Sequence, residues 1–344
     1  MKAVVKTRPE PGNVELLDVP EPTAGPDDVV IQVHNAGICG TDIHILKSEY
    51  VIHPPVVMGH EVCGEIVETG PGVTGFAVGD RVTVNPTAGR LCGTCRYCRS
   101  GAPFFCVDRA GLGSGIDGGF ARYCAARQGI LFRVPDSLDS SVAALSEPLA
   151  CVYQAVVELT GIKAGELVVV TGPGPIGLMA LLLAKVRGAR VLVLGTGADA
   201  VRLDCARSLG ADIVLDVEQE DAAEVVADLT GGYGADVALE CSGAAGGAAQ
   251  CLELLKSEGS YTQVGIFGVP IRVNLDAVVI KQLRVQGSIC HTWQTWERTM
   301  ALLASGTIDL APLISTRLPL TRWQEAFDGV MAKRSIKTLL YPDD

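Results

Sequence analysis

The sequence predicts an α/β protein: a β-rich part of about 150 residues, then a doubly wound parallel sheet. Three observations carry this. Up to about residue 150 the chain shows short β-branched runs cut by Gly/Pro turns. Beyond that point apolar strands alternate with helical segments. The first of those strands runs into a Gly-rich turn, Gly172-Pro173-Gly174-Pro175-Ile176-Gly177, which opens a helix.

In the first part, Val29–Val33, Glu65–Glu68 and Arg81–Val84 read as strands. Thr69-Gly70-Pro71-Gly72 and Val78-Gly79-Asp80 supply turns, so the expectation is a small barrel or a strongly bent sheet. The second part reads as six strands: 167–171, 191–194, 213–215, 236–240, 260–264 and 283–288. Helices are expected over 178–187, 200–209 (stopped by Gly210), 222–229 and 248–256. The tail, about 290–344, shows one helix over 296–305 and a last strand, Lys337–Tyr341, returning to the first part.

Net charge is −11, from 28 basic and 39 acidic residues, without a basic run; nucleic acid is not an expected partner. No signal-peptide h-region opens the chain, and the apolar run 178–186 is too short to span a bilayer, so a cytoplasmic protein without membrane contact is expected. Twelve cysteines in such a chain read as metal ligands or small buried side chains rather than disulfides.

Three motifs carry chemistry. In the Gly172–Gly177 turn, Gly172, Gly174 and Gly177 permit a tight bend and close approach of a pyrophosphate. Pro175 and Ile176 begin the helix whose N-terminus faces it. At the end of the next strand, Gly195-Thr196-Gly197 stands where an acidic residue would select NAD, so NAD and NADP both stay open. Gly197 is taken as a contact of the adenosine side. Asp199 could serve in place of the missing acid, and Arg202 could face a phosphate or adenine. Second, Cys92, Cys95, Cys98 and Cys106 have the spacing of a closed four-thiolate zinc site; a disulfide pair or an iron–sulfur cluster are the rivals. Third, Cys39-Gly40-Thr41-Asp42-Ile43-His44 and Gly59-His60-Glu61 gather thiolate, imidazole and carboxylates in a Gly-punctuated, loop-like setting, and Cys39 and His60 are read as holding a reactive metal.

These motifs resemble the zinc-dependent medium-chain alcohol dehydrogenases, closest to the sorbitol (polyol) and L-threonine dehydrogenase branch. Gly79-Asp80-Arg81-Val82 and Glu147-Pro148-Leu149-Ala150 match in the same order, so the likeness runs end to end. It implies a GroES-like catalytic domain from residues 1–150 and 290–344, with a structural zinc lobe at about 90–110 and a Rossmann domain, 151–289, inserted between them. It also implies zinc, two per subunit, with NAD or NADP, and a homo-oligomer, dimer or tetramer.

Carried over by position, Cys39, His60, Glu61 and Glu147 surround the catalytic zinc, with Glu61 or Glu147 as the third protein ligand. Cys151, four residues beyond Glu147, could share a helix face with it and reads as a core cysteine, with a ligand role as the alternative. Thr41 and His44 form a proton relay, and Val264-Gly265-Ile266 with Ser288-Ile289 line the nicotinamide. The expected reaction is hydride transfer between a secondary alcohol, polyol or vicinal diol, and NAD(P). L-Threonine is the alternative substrate, weakened because Trp293-Gln294-Thr295-Trp296 carries Gln where threonine dehydrogenases have Glu. A zinc-free quinone reductase would lack Cys39, His60 and the four cysteines. A non-catalytic NAD(P)-binding protein would lose relay or ligands; all are present.

Overall fold

A computed structural model describes residues 1–343. The chain divides into two compact units, Met1–Pro148 with Thr292–Asp344, and Leu149–His291.

In the first unit, strand Asp28–Gly37 pairs antiparallel with Glu61–Thr69 and Tyr123–Arg127, at the centre of a seven-stranded sheet. Its buried side chains Val29, Ile31 and Val33 pack with Val62, Ile66, Val82 and Val84 in one apolar core. Gly64 is required there: a Cβ would sit 2.1 Å from the Gln32 carbonyl oxygen. The tail joins this sheet, Lys337–Tyr341 pairing antiparallel with Asp28–Gly37 and parallel with Ile314–Pro319. A three-stranded sheet lies beside it, built from Val14–Asp18, Lys2–Lys6 and Val56–Val57. The tail holds more helix than its sequence suggests. Besides Trp293–Ala304, residues Trp323–Met331 are helical, seated on the core through Trp323, Ala326 and Phe327.

The second unit holds a six-stranded parallel sheet in the order Ile213–Asp216, Arg190–Gly195, Leu167–Thr171, Ala235–Glu240, Leu255–Gln263, Arg284–Gly287. In chain order this is 3-2-1-4-5-6, the doubly wound arrangement. Leu167–Thr171 is buried along its whole length, as a strand covered on both faces must be. The helices are Pro175–Val186, Ala200–Ser208, Ala222–Thr230, Ala245–Leu254 and Asp276–Ile280. The last is too short to show a clear period in the sequence, and the fifth strand starts five residues earlier than expected.

Candidate active site and metal centres

Cys39 does not lie in a loop. It caps the short helix Gly40–Leu46, with its own backbone extended. Asp42 Oδ2 accepts the Cys39 N–H at 2.9 Å, which fixes the thiol at the helix mouth. Thr41 Oγ1 lies 3.7 Å from Cys39 Sγ. His44, one turn on, pairs through Nδ1 with Glu49 Oε2 at 2.8 Å. His60 precedes strand Glu61–Thr69, and Gly59 before it has φ +90°, with Phe120 packed where a Cβ would go.

Ligand atoms of Cys39, His60 and Glu61 all lie within 4.8 Å of one another. Asp42 is fully buried; its Oδ1, without a hydrogen-bond partner among the described residues, faces His60 Nδ1 at 3.8 Å. That is the position of the carboxylate that commonly steadies a metal-bound histidine from behind. Burial pushes the carboxyls of Asp42 and Glu61 up, against the pull of His60 and Lys337. Burial works against the charged form of His60 too, yet Asp42 and then Cys39 raise it well above its usual range. Glu147, buried at the start of helix Ser146–Tyr153, adds its charge to all three. Negative groups without solvent around a thiol and an imidazole suit a divalent cation.

Sequence reasoning missed Lys337. Its buried ammonium lies 2.5 Å from Glu61 Oε1 and donates to the Ile38 carbonyl at 2.9 Å. Glu61 is therefore already salt-bridged from the tail strand. Gly37 leaves it room: a Cβ there would stand 1.9 Å from Oε2. The pair is 276 residues apart, so no local pattern announces it. Cys151 shares helix Ser146–Tyr153 with Glu147.

Cys92, Cys95, Cys98 and Cys106 form the second cluster, again within 4.8 Å. Cys92 Sγ accepts the Cys95 N–H at 3.3 Å, and Cys95 Sγ accepts the Cys98 N–H at 3.5 Å. Hydrogen bonds from Cys95 and Thr94 bring the Cys92 thiol down to about 6, while desolvation pushes Cys98 up to about 12. No disulfide joins them. A set of four converging sulfurs with backbone N–H donors fits a closed zinc site.

In the second unit the Gly-rich turn follows strand Leu167–Thr171, at the carboxyl edge of the sheet where its strand order reverses. Gly172 has φ +84°, and Gly174 caps the helix with Pro175 in its first turn. Gly177 lets that helix close on the turn: a Cβ would stand 2.0 Å from the Gly172 carbonyl oxygen. This is a cradle that side chains would fill. Gly177→Ala is expected to weaken NADH binding about tenfold or more, checked by fluorescence titration; unchanged affinity would contradict the assignment. Val264 and Gly265 donate their N–H groups to the Glu240 carbonyl at 2.9 and 2.8 Å, and Ile266 is half exposed beyond them. Ser288 donates its N–H to Gln263 O, and its buried Oγ lacks a hydrogen-bond partner among the described residues. Ile289 is exposed beside it. Polar capacity at that edge suits a polar cofactor.

On the adenosine side Arg202 is buried, 3.5 Å from Asp199. Asp199 in turn accepts from Thr196 Oγ1 at 2.9 Å, capping its own turn, so it does not stand free for a ribose.

Comparison with known proteins agrees with this geometry. Residues 25–136 match the alcohol dehydrogenase GroES-like domain and 175–305 the zinc-binding dehydrogenase model. A sorbitol dehydrogenase of Halalkalibacterium halodurans is 44% identical over the full length of both chains. An L-threonine 3-dehydrogenase of Saccharopolyspora erythraea is 38% identical, covering 99% of this chain and 98% of that one. A zinc-binding dehydrogenase of Sinorhizobium meliloti, solved with NADP bound, superposes with TM-score 0.91 at 34% identity, covering 99% of each chain. Fold and site define a zinc-binding, nucleotide-dependent dehydrogenase. The chain belongs to the zinc-dependent medium-chain alcohol dehydrogenase family, and its cofactors are zinc and NAD(P).

Proposed function

We propose that this chain oxidises a secondary alcohol of polyol or vicinal-diol type to the ketone, handing the hydride to NAD(P). The observation carrying this is the Cys39–His60–Glu61 group with Asp42 behind His60. The 44% identity to a sorbitol dehydrogenase supports the substrate class. L-Threonine is the second reading, supported by the 38% identical threonine dehydrogenase.

Cys39 and His60 hold the catalytic zinc, with Glu147 beside them as third ligand or through water. Glu61 is kept by Lys337 as a buried counter-charge. Zinc supplies Lewis-acid activation of the alcohol, and the nicotinamide accepts the hydride. Thr41 Oγ1 takes the hydroxyl proton and passes it to His44. With Glu49 accepting from Nδ1–H, Nε2 of His44 is left as the receiving atom. Cys92, Cys95, Cys98 and Cys106 hold a second zinc, bringing the count to two per subunit; its role is local rigidity. Gly172, Gly174, Pro175, Ile176 and Gly177 hold the pyrophosphate, Gly197 and Arg202 lie on the adenosine side, and Val264–Ile266 with Ser288 and Ile289 face the nicotinamide.

The enzyme is read as a cytoplasmic homo-oligomer. None of its twelve cysteines forms a disulfide. No helix among the described residues is long and apolar enough to cross a membrane. Strand Arg284–Gly287 ends its sheet, and the exposed Val285, Val279 and Ile280 near it favour a second copy as cover. Initial rates on sorbitol, other polyols, 2,3-butanediol and L-threonine, each with NAD and NADP, test the substrate class. Turnover confined to threonine, or to primary alcohols, would overturn it.

A further inference from the structure

The end of the second strand of the nucleotide domain decides which dinucleotide fits. Gly197 lies twenty residues beyond Gly177 and just past strand Arg190–Gly195, at the place where a dinucleotide's adenosine ribose is met. It carries no side chain, but its place is not electrically neutral. Glu218, from the loop after strand Ile213–Asp216, reaches across and accepts the Gly197 N–H through Oε2 at 3.0 Å. Asp216 holds that loop in turn, its Oδ1 accepting the Glu218 N–H at 3.0 Å. A Cβ on Gly197 would lie 3.1 Å from Glu218 Oε2 and 3.4 Å from Asp216 Oδ2. Two carboxylates, one from the end of the third strand and one from the loop after it, thus stand over the glycine, in the place of one from the second.

We propose that Glu218, supported by Asp216, is the cofactor-specificity residue of this chain and makes it select NAD over NADP. The inference rests on the dinucleotide reading of the Gly172–Gly177 turn. A ribose 2′-hydroxyl can donate to a carboxylate. A 2′-phosphate meets two negative charges, and the backbone N–H it would need is already taken by Glu218. The nearby cation does not compensate, because buried Arg202 is drawn to Asp199 at 3.5 Å. An absent acid at Gly195–Gly197 therefore does not open the site to NADP. The acid is supplied from the loop that follows the neighbouring strand.

Equilibrium binding of NADH and NADPH to the zinc-loaded protein, followed by nucleotide fluorescence without alcohol, tests this. Wild type is expected to bind NADH on the order of a hundredfold more tightly. Glu218→Gln keeps an acceptor for the Gly197 N–H and removes only the charge. It is expected to narrow the ratio about tenfold, mainly by tightening NADPH. Asp216→Asn is expected to narrow it less. Equal affinities in wild type, or a ratio unmoved in Glu218→Gln, would overturn the proposal and leave the dinucleotide reading intact. If a folded, zinc-replete protein bound neither nucleotide, both would fall together.

Discussion

Cys39→Ala is expected to lower kcat for alcohol oxidation by about three orders of magnitude or more, while NADH binds almost as before. Removing the thiolate takes away the soft donor that stands beside the His60 and Glu61 ligand atoms at the mouth of helix Gly40–Leu46. The metal's contribution to the transition state is several kcal/mol, and each 1.4 kcal/mol is about tenfold in rate. The Gly172–Gly177 turn belongs to the other compact unit, so nucleotide affinity reports separately. Steady-state rates and NADH titrations on the same sample check both halves. Turnover within about tenfold of wild type would contradict the assignment.

Lys337→Met is expected to cost about 3–5 kcal/mol of folding stability. Lys337 is 2% exposed and Glu61 fully buried, so the substitution strands a carboxylate in a site water does not reach. The Ile38 carbonyl loses its donor as well. Adding Glu61→Gln to the same chain removes the stranded charge and is expected to restore most of the loss. Urea denaturation of the three proteins measures it. A loss below about 1 kcal/mol in the single variant would show that the ion pair does not hold the tail strand to the site.

The parallel sheet was legible because its strands are near-continuous apolar runs, such as Leu167–Thr171, spaced by amphipathic helices. The grouping of the four cysteines was legible because they are close in sequence, and that of Cys39 with His60 because Gly and Asp punctuate them. What escaped depends on how the chain folds back, or on elements too short to show a period. Lys337 reads as the first residue of an ordinary strand until that strand pairs beside Asp28–Gly37. Glu49 carries no motif of its own, and only the end of the helix turn brings it to His44. Asp42 is gathered with the site's other polar residues in the sequence, but only the folded turn puts one of its oxygens on the Cys39 N–H and the other toward His60. Helix Asp276–Ile280 is a single short turn between strands, and Trp323–Met331 has only nine residues in which to show a period.

Zinc content per chain, measured by mass spectrometry on wild type, Cys39→Ala and Cys95→Ser, tests the central claim most directly. The expected values are about two, one and one, with only Cys39→Ala losing catalysis in proportion to its missing metal. A wild-type protein without zinc, or zinc content unchanged in Cys39→Ala alongside full turnover, would contradict it.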